Sequence, residues 1–169
     1  EPTSMDPHYQ NLTINNSFAT QIYNALVLQD VNQNLVPGLA SSWKPVDDRT
    51  WEFTLRKNVQ FHNGSAFTSE DVIASMERAA NVPNSPSSFA TFTKGKKFEI
   101  VDDFTIRIST EKPYPFTPND MSRISIIDSA FAKATTEDSL KSKAFKIMNV
   151  FYYKVKNAVF NLKKCCGSN

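Results

Sequence analysis

The fold of this chain follows from the residues Pro37-Gly38-Leu39-Ala40-Ser41-Ser42-Trp43-Lys44, which a turn at Asp47-Asp48 joins to Thr50-Trp51-Glu52-Phe53-Thr54-Leu55-Arg56. In the second of these segments, large apolar residues occupy every second position and polar residues stand between them. This period of two is typical of an antiparallel strand with one buried face. We therefore predict a hairpin here, with a strand near residues 51–56.

A second hairpin uses the same turn chemistry further along the chain. Residues 98–101 lead into Asp102-Asp103, after which the apolar residues from Phe104 to Ile108 again alternate with polar ones. Aspartate favours such turns because its carboxylate accepts hydrogen bonds from the backbone N–H groups that follow it. The pattern predicts a strand near residues 104–109.

Two helices are predicted from other patterns. Apolar residues recur every four positions from Phe18 to Leu26, which predicts a helix preceded by Asn15-Asn16-Ser17 as candidate caps. A second helix is predicted over residues 69–80, because Thr68 is a suitable N-cap and Asp71 can complete a capping box. The residues expected on its buried face are Val72, Ile73, Met76 and Ala80, and those expected in solvent are Glu77 and Arg78.

The net charge of +2 conceals an uneven distribution. Residues 1–138 carry 12 Lys and Arg against 17 Asp and Glu, a net charge of −5, whereas residues 139–169 carry 7 Lys and no acid, a net charge of +7. A nucleic-acid-binding domain would spread Lys and Arg over its working face, so this distribution argues against a nucleic-acid partner. The sequence also lacks the run of about eighteen apolar residues that a membrane-spanning helix needs.

The sequence carries no recognisable catalytic motif. It contains no glycine-rich phosphate loop, no Gly-x-Ser-x-Gly elbow and no His-Glu-x-x-His pair, so we expect neither enzyme activity nor a cofactor. His8 and His62 lie in separate turn motifs, and we interpret both as turn or packing residues rather than metal ligands. For the adjacent Cys165 and Cys166, a soft-metal site and an intermolecular disulfide stay open, although we favour a flexible tail without a role.

Further motifs add a family resemblance to the hairpin and helix patterns. They are Pro2-Thr3-Ser4-Met5-Asp6-Pro7-His8, Ile22-Tyr23-Asn24-Ala25-Leu26-Val27 and Tyr114-Pro115-Phe116. Together with residues 37–78, they resemble the N-terminal part of the family-5 solute-binding proteins of bacterial ABC importers, the extracytoplasmic receptors for peptides, nickel chelates, haem and some sugars. The resemblance covers about residues 2–143. It implies a mixed α/β fold that is part of lobe I of a class II periplasmic-binding-protein-like fold, with antiparallel hairpins packed on helices.

The resemblance also implies a division of the chain. Residues 1–66 are expected to form the N-terminal part of lobe I and residues 67–125 a small subdomain with the capped helix and the second hairpin. Residues 126–145 would return to lobe I, and residues 146–169 form a divergent basic tail. Because the family's motifs stop at this tail, we expect a truncated N-terminal fragment without the second lobe.

The function that the resemblance implies is capture of a small ligand, an oligopeptide or dipeptide. Capture would take place in the periplasm, after signal-peptide removal, and the ligand would pass to an ABC permease in the membrane. An alternative of another class stays open: a non-transporting structural or interaction domain, or a decayed gene product, that dimerises through its exposed surface.

Ligand-binding residues can be transferred from the family only by position. These are Asn16, Ser17, Phe89, Met121 and Arg123. In a cleft, the guanidinium of Arg123 could hold a ligand carboxylate through two hydrogen bonds, but the same residue is equally consistent with a solvated surface arginine. Phe89 fits a packing role better than a ligand contact.

The basic tail has helical spacing of its apolar residues from Met148 to Leu162, with lysines available to flank them. A basic amphipathic helix can lie on an anionic membrane. It can equally cover apolar surface that a second lobe would bury, and we favour this interpretation. We expect residues 144–164 to form a helix or strand that covers this surface, within the chain or in a second copy as a homodimer.

Overall fold

The computed structural model describes residue 4, residues 6–134 and the backbone of residues 151–153. Five helices and eight strands lie in these residues. In chain order they are α1 (Thr13–Ala19), β1 (Val27–Gln29), β2 (Leu35–Pro37), β3 (Ala40–Pro45), β4 (Thr50–Leu55), β5 (Val59–Phe61), α2 (Ser69–Asn81), α3 (Ala90–Thr93), β6 (Lys96–Asp102), β7 (Thr105–Thr110), α4 (Thr117–Asp120), α5 (Ser129–Ala134) and β8 (Phe151–Tyr153). None of the helices in this described part of the chain combines the length and apolar character needed to cross a membrane.

The centre of the fold is a four-stranded antiparallel sheet in the order β3-β4-β7-β6. Phe53 on β4 lies between Trp43 on β3 and Ile106 on β7, and its side chain is fully buried. The predicted strands near 51–56 and 104–109 are therefore confirmed as β4 and β7. Because the alternating residues of both strands point to one side, this face supplies much of the apolar core.

Helix α2 packs its apolar face against this core. Its N-terminus has the predicted capping box: the Thr68 side chain meets the backbone of Asp71, and the Asp71 carboxylate accepts a hydrogen bond from the Thr68 N–H at 2.8 Å. Val72 and Met76 are fully buried in the core cluster, and burying each side chain contributes roughly 1.5–3 kcal/mol. The predicted helix over 69–80 is confirmed, with an end at Asn81.

The helix predicted from Phe18 to Leu26 is wrong in its extent. Helix α1 begins at Thr13 and ends at Ala19. Beyond it, Asn24 and Ala25 run alongside residues 125–126. The Asn24 carbonyl accepts a hydrogen bond from the Ile126 N–H at 2.9 Å, and Ala25 pairs with Ser125. The spacing of Phe18, Ile22 and Leu26 therefore does not mark one helix. Ile22 lies in a turn and Leu26 directly before β1, where tertiary pairing outweighs helical periodicity.

The strands of the central sheet come from both sides of the predicted boundary at residue 66. β3 and β4 precede this boundary, and β6 and β7 follow it. One core cluster also extends from Leu26 to Ile126. The division of the chain into units of residues 1–66, 67–125 and 126–145 therefore stays a prediction.

One short strand lies within the predicted tail. β8 pairs antiparallel with β5, with Phe151 opposite Phe61 and Tyr153 opposite Val59. Its place within residues 144–164 agrees with the expectation that this segment contributes a strand. The rest of that segment, and Cys165 and Cys166, lie outside the described residues.

Candidate functional site

The predicted contacts Asn16 and Ser17 lie on α1, close to the surface. Asn16 is half-buried and its Nδ2 donates a hydrogen bond to Asn11 Oδ1 at 2.8 Å, which ties the helix to the segment before it. Ser17 is exposed. The neighbouring Leu12 and Ile14 are also exposed apolar residues, so this side of the molecule presents both apolar surface and amide groups.

Arg123 follows α4 in the crossover segment, defined here as residues 113–125. Its side chain is exposed, and its backbone N–H donates a hydrogen bond to the Asp120 carbonyl at 3.0 Å. An exposed guanidinium is available to a carboxylate, and it is equally consistent with a solvated surface residue.

Phe89 and Met121 belong to the apolar core. Phe89 is 2% exposed and Met121 is 0% exposed, and both are part of the main core cluster. The Phe89 ring contacts the rings of His8 and Phe92, with centroid separations of 6.4 and 6.3 Å. Neither side chain offers surface to a ligand in this conformation, so both are packing residues of the core.

The crossover segment is anchored to the sheet through buried polar contacts. Lys96 on β6 forms an ion pair with Asp120 at 2.7 Å, and both side chains are largely buried. The Lys96 ammonium also lies 4.6 Å from the centre of the Tyr114 ring. Burial and the nearby carboxylate of Asp120 raise the pKa of the Tyr114 phenol. An exposed contact adds to these: Gln29 Nε2 on β1 donates to Asn119 Oδ1 at 3.0 Å. The segment is therefore held at both β1 and β6.

A second buried polar cluster joins the N-terminal segment to α2. The Arg78 guanidinium makes two hydrogen bonds to the Asp6 carboxylate, at 2.9 and 2.6 Å. Arg78 Nη1 also lies 3.1 Å from His8 Nδ1, and His8 Nε2 lies 2.7 Å from the Ser125 carbonyl oxygen. The interpretation of His8 as a packing residue is confirmed, since its ring is fully buried.

The expectation that Arg78 faces solvent is wrong. Its side chain is 3% exposed, because Asp6, 72 positions earlier, neutralises it inside the protein. The sequence did contain a signal: Asp71, Ser75 and Arg78 follow one another at i, i+4 and i+7, which places three polar residues along one stripe of the helix. All three are buried, and we call them the polar stripe of α2.

The ionisation of this cluster is set by its burial and by the paired charges. Burial tends to raise the pKa of Asp6, but the hydrogen bonds and the charge of Arg78 outweigh this effect, so the pKa lies below its usual value. Burial, together with the positive charge of Arg78, lowers the pKa of His8 to about 4. At neutral pH the cluster therefore contains an ion pair and a neutral imidazole.

Two further observations concern metal and small-molecule sites in the described structure. Within it, no group of three or more His, Cys, Asp or Glu side chains could hold a metal ion. An open depression of about 500 Å³ lies at the β6–β7 turn of the four-stranded sheet, and β1 belongs to a separate two-stranded sheet with β2. Its charged residues, Lys57, Asp102 and Asp103, are exposed, so it lacks the enclosing apolar walls of a small-molecule pocket.

Comparison with known proteins identifies the family. The model for bacterial extracellular solute-binding proteins, family 5 (middle region), matches residues 34–156. The glutathione-binding protein GsiB of Pectobacterium atrosepticum is 32% identical over 120 residues, which are 70% of this chain and 23% of GsiB. The periplasmic oligopeptide-binding protein OppA of Haemophilus influenzae is 31% identical over an alignment 136 residues long, which covers 69% of this chain and 25% of OppA.

Solved structures agree with the sequence matches. The Escherichia coli murein tripeptide binding protein MppA aligns with a TM-score of 0.70 at 27% identity, over 79% of this chain and 30% of MppA. AgaA from A. tumefaciens R10, in complex with agropinic acid, aligns with a TM-score of 0.73 at 26% identity, over 82% of this chain and 28% of AgaA. The mixed α/β fold of the periplasmic-binding-protein type is confirmed, and the chain spans about a quarter of the length of the curated relatives it matches. This chain belongs to the bacterial extracellular solute-binding proteins of family 5.

Proposed function

We propose that this chain is the N-terminal, ligand-facing part of the solute-binding component of an ABC importer, that its solute is a short peptide, and that it works in the periplasm. The observation that carries the proposal is the match of the family model to residues 34–156. The names of its relatives support a peptide, since OppA binds oligopeptides, GsiB binds glutathione and MppA binds a murein tripeptide. The role is binding, without catalysis or a cofactor, and the partner is an ABC permease in the membrane.

The proposed ligand contacts lie on α1 and on the crossover segment. Asn16 and Ser17 supply hydrogen-bonding groups from α1. Arg123 supplies a positive charge, which would hold the carboxylate of a peptide through two charge-assisted hydrogen bonds. Phe89 and Met121 lie in the core, and their proposed role is to pack beneath the segments that carry these contacts.

The affinity of this chain on its own should be low. A two-lobed binding protein closes on its ligand from both sides and buries most of the ligand surface. This chain spans about a quarter of the length of its relatives, and we propose that it supplies one side of such a site. With half of the contacts, the binding free energy would weaken from about −8 kcal/mol to about −4 kcal/mol, which raises the dissociation constant from about micromolar to about millimolar.

A second function is supported by the exposed apolar residues of the sheet. Ile100 and Val101 on β6 are 45% and 43% exposed, and β6 is an outer strand of the four-stranded sheet. An uncovered strand edge with apolar side chains can pair with another chain. The chain would then be a non-transporting interaction domain, or a decayed gene product, that forms a homodimer.

Titration calorimetry with a tetrapeptide and its C-terminal amide separates these functions. The proposal predicts millimolar binding of the acid, loss of binding for the amide, and a similar loss in Arg123→Met. The matched control is Arg49→Met, at the exposed β3–β4 turn, which should bind like wild type. Absence of binding to tetrapeptide and glutathione, together with a dimer in sedimentation velocity, would instead support the interaction domain.

A further inference from the structure

The buried cluster of Asp6, His8 and Arg78 has no place in the proposed ligand contacts, and its geometry assigns it a function of its own. We propose that neutral His8 is the positioning residue of a clasp that holds residues 6–8 against α2 and thereby fixes residues 6–12, and that protonation of its imidazole opens this clasp. The clasp does not depend on the proposed function. Its consequence for ligand binding does, because residues 6–12 lead directly into α1, which carries the proposed contacts.

The tautomer of His8 follows from its two partners. The Ser125 carbonyl oxygen can only accept a hydrogen bond, so His8 Nε2 carries a proton and donates it. His8 Nδ1 then has a lone pair and accepts from Arg78 Nη1, since a guanidinium can only donate. Neutral imidazole therefore satisfies both neighbours at once and bridges α2 to the crossover segment.

Protonation would remove this complementarity. A second proton on Nδ1 would face the N–H of Arg78 at 3.1 Å, placing two donors and two positive charges against each other in a buried site. Asp6 is the negative group within reach, but both its oxygens already accept from Arg78, and one also accepts from the His8 backbone N–H. Burial and the negative charge of Asp6 raise the pKa of Tyr23 to about 12, although the charge of Arg78 acts in the other direction, so Tyr23 stays neutral. The ring of Phe89 offers only an apolar edge.

The direction of the pH effect follows from linkage. Burial and the charge of Arg78 lower the pKa of His8 from 6.5 to about 4, so the open state takes up a proton before the closed state does. The closed clasp is fully stable above the ordinary pKa and loses stability as the pH falls from 6.5 towards 4. Between pH 7.5 and pH 5, this difference raises the opening constant about 30-fold.

Opening would release the segment that positions α1. Past the clasp, this segment is held by partly buried bonds: Ser85 Oγ donates to the Tyr9 carbonyl at 2.7 Å, and the Asn11 N–H donates to the Ser87 carbonyl at 2.9 Å. Asn11 in turn accepts from Asn16 on α1. The segment therefore links the state of His8 to the position of Asn16.

The test is hydrogen exchange of the full chain without peptide, at pH 7.5 and pH 5, corrected for intrinsic exchange rates. We expect the opening constant of the backbone amides in residues 6–12, of which Pro7 has none, to rise about 30-fold more in wild type than in His8→Asn, whose side chain cannot be protonated. The matched control is His62→Asn, which removes the other, exposed histidine and should behave like wild type. Equal pH dependence in wild type and His8→Asn would overturn the proposal.

A second measurement keeps the proposal testable where His8→Asn does not fold. In His62→Asn, one imidazole remains in the chain, and its ring protons should titrate near pH 4 in nuclear magnetic resonance spectra. Titration at the ordinary value of 6.5 or above would overturn the clasp. Failure of the proposed function would look different, because the pH-dependent opening would persist while no peptide bound at any pH.

Discussion

Replacement of Asp71 by alanine should destabilise this protein more than the loss of a single helix cap. One oxygen of the Asp71 carboxylate accepts from the Thr68 N–H at 2.8 Å and so closes the capping box of α2. The other accepts from the Ser129 N–H, also at 2.8 Å, at the beginning of α5. A single buried carboxylate thus fixes the N-termini of two helices that lie 58 positions apart in the sequence.

The expected cost can be worked out from these contacts. Losing the cap costs about 1 kcal/mol, and losing a backbone hydrogen bond to a charged acceptor costs about 1.5–3 kcal/mol. Part of this loss is offset, because burial and the nearby charge of Asp128 raise the pKa of Asp71, which shows that the ionised carboxylate is disfavoured there. We therefore expect Asp71→Ala to lower the free energy of unfolding by about 2–3 kcal/mol, and Asp71→Asn, which retains one acceptor oxygen and has no charge, by about half as much.

Urea unfolding followed by tryptophan fluorescence measures this difference, as a lower midpoint at an unchanged slope. The control is Glu70→Ala, in the same helical turn but exposed, which removes an equal charge near the helix N-terminus without removing either bond. It should cost less than about 1 kcal/mol. Equal losses in Asp71→Ala and Glu70→Ala would refute the reasoning, since the effect would then be one of charge alone.

Three further substitutions test the core and its packing. Phe53→Ala, at the fully buried centre of the sheet, should cost about 3–5 kcal/mol in urea unfolding, and a loss below about 1 kcal/mol would contradict the assigned core. Gly38→Ala would bring a Cβ atom within 2.5 Å of the Ala25 carbonyl oxygen, so we expect a loss of about 1–3 kcal/mol, seen as a lower melting temperature. Lys96→Met removes the counter-charge of the buried Asp120 carboxylate and should cost about 3–5 kcal/mol, whereas the double variant Lys96→Met/Asp120→Leu should recover most of it. A double variant as unstable as the single one would argue against a buried ion pair.

The hairpins and α2 could be predicted from the sequence because their signals are local. The apolar alternation along β4 and β7 lies within six residues each, and the capping box of α2 lies within four. The end of α1 could not be predicted in this way. Its chain continues into Asn24 and Ala25, which pair with residues about a hundred positions later, and no local pattern reports a partner at that distance.

The candidate site was predictable only in part, for the same reason. Asn16, Ser17 and Arg123 lie at or near the surface, and Phe89 lies in the core, in line with the packing role favoured from the sequence. Transfer by position did not reveal that Met121 also lies in the core. Phe89 packs against His8, a contact across 81 positions that the loop-like composition around it does not suggest. A single sequence shows which residue types are present. The burial of each side chain is decided by partners that only the fold brings together.

The polar stripe of α2 shows what such long-range partners achieve. Asp71 accepts from Ser129, and Ser75 Oγ accepts from the Ile127 N–H at 2.9 Å. Arg78, at the far end of the stripe, contacts His8, whose ring donates to the Ser125 carbonyl. The three contacts therefore follow residues 129, 127 and 125 in order, antiparallel to the helix.

Hydrogen bonds of this kind fix register in a way that apolar packing does not. An apolar helix face can slide along its neighbour by a fraction of a turn and still bury similar area, whereas buried polar groups lose a partner when they move, at about 1–3 kcal/mol for each unsatisfied group. The apolar face of α2 thus packs against the sheet, and its polar stripe fixes the positions of residues 125–129 and residues 6–8. Since α1 and Arg123 extend from these two segments, the relative position of the proposed ligand contacts depends on three buried polar residues of one helix, together with the ion pair of Lys96 and Asp120 that ties the crossover segment to the central sheet.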